Sequence, residues 1–412
     1  MAEETININE KQVEENEIKQ KKIPNGRVKL HFILTIIILI LAILFLDISS
    51  RMENIQSILD ETSEYEIIEI EDENENENEN VFDYEALSKL YNDDDIVMTI
   101  GDYEVSWEEY LYYYKDAAEE LEYYMGSEIP FDEVLMEDGD EEITYADYPK
   151  YCAENYLKYF IGTEAYGKDN KIEMSDKTKE EVESLIEQYA AGYGVNTEEE
   201  LYAELKESYG VPESVAKRDM YLDAYVTQML DDIYGADGEK ISDEDSVKYQ
   251  EENGYMHAMH ILLSNRDMTT YEELDEAALS EKKALAESIL AELNAIEDNE
   301  ERKAKFIELG QKYNEDSNIE YTFREGSMVE EFTKAARELE EYEVRIVETD
   351  YGYHVMMGVP LDPNAILFDQ SATAKKTMAQ TNLSESLMEY KDKMQIKYAD
   401  GFTTPDLKAL VK

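Results

Sequence analysis

The clearest chemical signal in this chain is a pair of histidines in matched settings. His260 lies in Met259-His260-Ile261-Leu262-Leu263 and His354 in Tyr351-Gly352-Tyr353-His354-Val355. Each imidazole sits among apolar and β-branched residues that read as buried strand. The sequence holds only four histidines, the others being His31 and His257, so two in such surroundings, at the ends of a domain-sized stretch, point to a paired-histidine core. Two imidazoles hydrogen-bonded to each other fix one another's tautomers and set oriented dipoles beside whatever binds there. The competing reading is two satisfied core residues of a degenerate domain.

Other chemistries find less support. The single cysteine, Cys152, has no histidine near it in sequence and reads as a small packing residue among aromatics. No Gly-x-Ser-x-Gly elbow is present. Among 99 acidic residues nothing sets one carboxylate pair apart for glycoside cleavage. No twelve-residue calcium loop and no cysteine and histidine cluster occurs, so neither a metal nor a cofactor is expected.

The 412 residues leave room for about two folded units with accessory segments. With 38 Lys and Arg against 99 Asp and Glu, the formal net charge is -61. Such a surface repels phosphate backbones, which argues against nucleic acid as a partner. The 43% hydrophobic content and 33 tyrosines still suffice to build cores, so the acidity is mostly a solvated surface.

Leu30 to Leu46 is apolar apart from His31 and Thr35, and as a helix it spans roughly 25 Å. Lys19, Lys21, Lys22, Arg27 and Lys29 precede it, which places the amino terminus in the cytoplasm by the positive-inside rule. The sequence therefore predicts a cytoplasmic tail over 1–29, a transmembrane helix over 30–48 and everything beyond it outside the cell. A cleaved signal peptide is the alternative, although no small-residue cleavage pattern follows the run. Residues 49–80, with the repeat Glu73-Asn74 through Glu79-Asn80, read as an acidic, self-repelling spacer.

Folded structure is expected from Ile96 to Ile100, with Ser106 capping an aromatic helix from Glu108 to Tyr124. More helices are predicted over Tyr156 to Tyr166, Thr178 to Tyr189, Thr197 to Ser208 and Glu213 to Tyr234, with Thr197 and Glu200 forming a capping box. The tyrosine stripes read first as core, and otherwise as a surface that touches unfolded chains at low entropy cost.

From about His257 to Pro360 the chain resembles a parvulin-type peptidyl-prolyl isomerase domain. Its place behind a helical region and a membrane anchor looks like that of the PrsA-type extracellular foldases, and the helices up to Tyr234 are similar to the chaperone portion of PrsA and SurA proteins. His260 matches the first parvulin histidine and His354 the second, in the closing strand pair with Thr349. Tyr271 to Ala295 and Phe306 to Tyr313 fit the two long helices, and Asp316 falls where parvulins place an aspartate or cysteine. Phe323, then Met328 and Phe332, match the residues that wall the family's proline pocket. Three features depart from the pattern, one being the absence of the proline expected before Val347, with Arg345 and Ile346 in that region. Asn318-Ile319-Glu320-Tyr321-Thr322 is shorter than the usual loop and lacks its glycines, and the glycine before the last strands is replaced near Tyr342.

The resemblance implies isomerisation of Xaa-Pro bonds, whose barrier of roughly 18–20 kcal/mol reflects amide resonance. No nucleophile is needed. Phe323, Met328 and Phe332 would hold the ring dry, His260 and His354 would be oriented by Thr349, and Asp316 would shape the field at the twisting carbonyl.

The expected architecture is α+β: a mostly helical chaperone module (81–252) with an inserted parvulin-like domain (253–361, an antiparallel sheet with covering helices). Residues 362–412 would return to the chaperone region, and one transmembrane helix would precede it all. The expected partners are unfolded exported polypeptides with Xaa-Pro bonds, and the membrane through the N-terminal helix. Two alternatives remain: a non-catalytic holding chaperone, and a surface scaffold that binds a specific protein.

Overall fold

The structure, a computed structural model, describes residues 81–412 apart from Asp140. The expected tail, transmembrane helix and spacer lie outside the described residues. Among the described residues no helix is long and apolar enough to cross a membrane. The chain divides into two compact units, one ending at 162 and resuming over 180–221 and 391–412, the other formed by 163–179 and 222–390.

In chain order the elements are α1 (Tyr84–Ser88), β1 (Ile96–Ile100), β2 (Tyr103–Ser106), α2 (Trp107–Met125), β3 (Val134–Asp138) and β4 (Glu141–Thr144). Five helices follow: α3 (Tyr148–Asp169), α4 (Asp176–Tyr193), α5 (Glu198–Tyr209), α6 (Glu213–Tyr234) and α7 (Asp243–Glu252). Next come β5 (Met256–Ser264), α8 (Glu276–Asn294), α9 (Asn299–Tyr313), β6 (Glu320–Phe323), α10 (Glu330–Glu338), β7 (Val344–Thr349) and β8 (Gly352–Gly358). The chain ends in β9 (Ile366–Leu367), β10 (Ala372–Thr373), α11 (Ala374–Lys393) and β11 (Ile396–Tyr398).

In the first unit, β1 pairs antiparallel with both β2 and β11, so residues near the C-terminus complete its small sheet. The expected Ser106 cap is present with its reciprocal partner: Ser106 Oγ accepts from Glu109 N–H and the Glu109 carboxylate accepts from Ser106 N–H. The aromatic stripe of α2 is mostly core. Trp107, Tyr110 and Tyr114 are fully buried, with Phe402 edge-on to Tyr110 at 5.6 Å, whereas Tyr123 and Tyr124 are exposed. At α5 the expected capping box is only half formed. Thr197 accepts from Glu200 N–H, but the Glu200 carboxylate bonds Asn196 N–H instead of closing on the cap. Cys152 is half-buried, and desolvation pushes its thiol up to about 12, which leaves it inert as a nucleophile.

The second unit is built on a six-stranded sheet in the order β10-β9-β6-β5-β8-β7. The sequence reading of an antiparallel sheet holds at every pairing except β6 with β9, which is parallel. The connection from Val359 to Ala365 is not a hairpin and brings the chain in beside β6 running the same way. Residues 243–252 and 362–374 are tied to this unit by Ser246 Oγ donating to Pro363 O (2.7 Å) and by Tyr255 packing with Leu367 and Ala374. Successive side chains on β5 alternate between two cores. Met259, Ile261 and Leu263 face α8 and α9 with Ile289, Leu293 and Phe306, whereas Ala258 faces α10 with Phe323, Phe332 and Met356. The first long helix starts at Glu276 and not at Tyr271. Asp275 caps it by accepting from Ala278 N–H, while Tyr271 has φ +60°, which no helix continues.

Two turn positions frame the closing strands. Tyr342, where the sequence lacks the expected glycine, adopts φ +63°, so a bulky residue holds a left-handed conformation there. Gly352, in the β7–β8 turn, has φ +135°, and a Cβ on it would come within 2.3 Å of Leu263 O. Gly352→Ala should therefore destabilise the second unit by about 2 kcal/mol or more, read as a lower urea midpoint; an unchanged midpoint would contradict the close approach.

Candidate active site

Strand register brings the site together. His260 lies opposite Met356 and Leu262 opposite His354 on the antiparallel pair β5–β8, so the two histidines are diagonal neighbours on one sheet face. Thr349 stands in the same relation to His354 across β7–β8, where Val347 is the direct partner. Both imidazoles are buried, 1% and 5% exposed. Their planes lie 16° apart, with Nδ1 of one 3.0 Å from Nδ1 of the other.

The partners fix the direction of every proton in this chain of contacts. His260 Nε2 faces only acceptors, the Asn318 carbonyl at 3.1 Å and the Asp316 carboxylate at 3.2 Å, so it carries hydrogen. In the neutral ring Nδ1 is then bare and accepts from His354 Nδ1–H. His354 Nε2, bare in turn, accepts from the Thr349 hydroxyl at 2.9 Å, and Thr349 Oγ1 accepts from Tyr351 N–H at 3.1 Å. A single donor-to-acceptor sense runs from the β7–β8 turn to Asp316.

The electrostatics agree with a neutral His354. Burial lowers His354 to about 4, the charge of a protonated His260 pushes the same way, and Asp316 opposes. Asp316 is held down at about 2, chiefly by its hydrogen bond from His260, against desolvation and with help from Ser317 N–H and the Tyr321 hydroxyl.

The apolar residues meet the imidazoles edge-on. Phe332 lies 5.3 Å from the His260 ring and 5.4 Å from that of His354, at 88° and 74°, and Phe323 packs on Phe332 at 5.5 Å. Met328 is partly buried against the same cluster. Phe323 is shut off from solvent and supports Phe332 from behind; Phe332 itself is 3% exposed. All seven residues expected from the sequence thus lie on or beside one sheet face. His257 stays apart on the other face of β5, bonded to Pro360 O and to Glu320 at 2.8 Å. A surface groove of about 570 Å³, lined by Asp243, Glu244, Val247, Lys248, Glu251 and Pro363, includes none of the site residues.

Two contributors were not foreseen from sequence. Tyr321 places its ring 5.4 Å from His260 and its hydroxyl 3.3 Å from Asp316. Asn314 accepts from Leu262 N–H and donates to the carbonyls of Asp316 and Asn318, pinning the short loop that touches His260. The missing glycines were the available signal, since a loop without them needs a side chain to satisfy its carbonyls.

Residues 245–358 match the family model of the PPIC-type PPIASE domain. The chain is 28% identical over 191 residues to the foldase protein PrsA of Halalkalibacterium halodurans, a match that spans 43% of this chain and half the length of that relative. Among solved structures, PrsA from Bacillus subtilis is similar at 22% identity over 64% of this chain and 91% of its own, with a TM-score of 0.22. The foldase protein PrsA from Lactococcus lactis is similar at 14% identity over 74% and 95%, with a TM-score of 0.27. Scores this low carry no weight for the fold.

A buried His354 lowered to about 4 binds its proton less readily folded than unfolded, so stability is complete above about 6.5 and falls as pH drops toward 4, by roughly 3 kcal/mol. Asp316, lowered to about 2, adds loss below the ordinary carboxylate value. Urea midpoints between pH 7 and 4.5 should fall more steeply in the parent than in His354→Asn; parallel slopes would contradict the assignment.

Proposed function

We propose that this chain is a peptidyl-prolyl cis-trans isomerase and foldase, with the parvulin-type domain as its catalytic part. The observation that carries the reading is the buried, hydrogen-bonded imidazole pair with Phe332 edge-on to both rings. A prolyl amide loses resonance when twisted, so the barrier falls where a dry apolar socket holds the ring and the planar carbonyl gives up its hydrogen bonds to water; no base or nucleophile is needed. His260 and Asp316 supply the field and His354, held by Thr349, supplies the orientation. The proline ring sits against Phe332 and Met328, with Phe323 behind. Met328 has the unbranched, adaptable side chain that can yield to an entering ring.

The membrane and client parts of the reading rest on sequence. Residues 30–48 anchor the chain in a membrane with its bulk outside, residues 49–80 hold the folded part away, and the clients are unfolded exported polypeptides. The parvulin-type domain is inserted, and the first unit, to which residues 391–412 belong, holds unfolded segments.

A second reading, a non-catalytic holding chaperone, draws on one observation: Phe323 and Phe332 are closed to solvent. Isomerisation of Xaa-Pro peptides by the full-length chain separates the two. The isomerase reading expects acceleration that falls at least about tenfold in His260→Ala and in Met328→Ala. No acceleration with any peptide, alongside suppression of client aggregation that survives both substitutions, would establish the holding chaperone instead.

A further inference from the structure

Two exposed apolar side chains stand on the histidine face of the sheet, beyond the end of the segment that matches the parvulin family at 358. β9 runs parallel to β6 with Leu367 level with Thr322, and residues level with one another share a face. Leu367 and Thr322 are both buried. Ile366 and Phe368 therefore share the opposite face with Tyr321 and Phe323, the face that carries His260. Ile366 is 67% exposed and Phe368 47%. α10 covers this face over β5, β7 and β8, and the uncovered portion lies at β9.

That uncovered portion is continuous with the imidazole pair. Phe368 meets Tyr321 edge to face at 5.5 Å, and Tyr321 lies 5.4 Å from His260. His260 is thus flanked by Phe332 on the proline side and by a Tyr321–Phe368 run on the other. The path from His260 to Phe368 is about 11 Å at most, a span that an extended polypeptide covers in roughly three residues. Isolated exposed apolar residues need no explanation, but two on either side of Leu367 that continue an aromatic run from a buried imidazole form a surface. Asp316, 3.3 Å from the Tyr321 hydroxyl, borders it, so acidic client residues are repelled there while apolar ones are not.

We propose that Tyr321, Ile366 and Phe368 form a subsite that takes an apolar, preferably aromatic, side chain of the client within about three residues of the prolyl bond. The subsite lends the site a preference that the matched parvulin segment does not itself encode, because two of its three residues, Ile366 in β9 and Phe368 just after it, lie beyond residue 358. The inference rests on the isomerase reading for the position of the prolyl bond.

The test uses the full-length chain and Xaa-Pro peptides in which each of the three positions on either side of the Xaa-Pro pair is in turn Phe or Gly. The expected result is a Phe-over-Gly ratio of kcat/KM of about three- to tenfold at one or more positions on one side. That ratio should collapse to about one in Phe368→Ala and return in Phe368→Tyr. A merely structural role would lower both peptides together and leave the ratio intact, and that result, or a parent without any preference, overturns the proposal. If no peptide is isomerised, the isomerase reading fails by itself, and binding of the same peptides, read by fluorescence anisotropy, replaces the rate. A Phe-over-Gly affinity ratio that depends on Phe368 then upholds the subsite, and equal affinities overturn it.

Discussion

Everything at the candidate site depends on one constraint: two imidazoles buried side by side must agree on where their protons are. Neither ring reaches water, so each nitrogen needs a partner of the opposite kind. Asn318 O and Asp316 decide the matter by offering only acceptors to His260 Nε2, and at the other end Tyr351 N–H occupies one lone pair of the Thr349 hydroxyl. Between them the Thr349 hydroxyl and both histidines have one self-consistent arrangement. A network with all its members satisfied holds its geometry tightly, and the loss of any member leaves an uncompensated polar group in a dry core.

The rest of the unit serves that arrangement. The pleat of β5 and β8 sets His260 and His354 as diagonal neighbours, β7 brings Thr349 up behind, and Gly352 lets the β7–β8 turn pass close under Leu263 O. The other sheet face, packed on α8 and α9, supplies the apolar burial that keeps the strands in register. The side with the histidines is closed by Phe332 on α10, whose ring edge meets both imidazoles. The short loop from Asn314 to Asn318, without glycines, is held by the Asn314 amide and by Tyr321, so the absent glycines are replaced by side-chain hydrogen bonds.

Much of this was legible in the residues. The histidine strands carry dense apolar context, α2 announces itself by Ser106 and its aromatic spacing, and Glu213 to Tyr234 is bounded by Pro212 and Gly235. What was not legible has physical reasons. Two-residue strands such as β9 and β10 have no periodicity to read, so the widening of the sheet beyond β6 went unforeseen. The start of α8 was set by the Asp275 cap, four residues past the point that the parvulin resemblance suggested. Glu200 turned to Asn196 because side-chain capping has more than one N–H within reach. Phe323 reads as a pocket wall from sequence, yet packing places it behind Phe332, a distinction that residue type alone cannot make.

The most direct test of the account is the protonation state of the imidazole nitrogens, read by long-range nitrogen–proton NMR on the full-length chain across pH 4 to 8. The account predicts His260 as the Nε2–H tautomer and His354 as the Nδ1–H tautomer above pH 6, with His354 resisting protonation until about pH 4. A His354 that titrates near 6.5, or that carries its hydrogen on Nε2 at neutral pH, would contradict the one-way chain of hydrogen bonds and the site built on it.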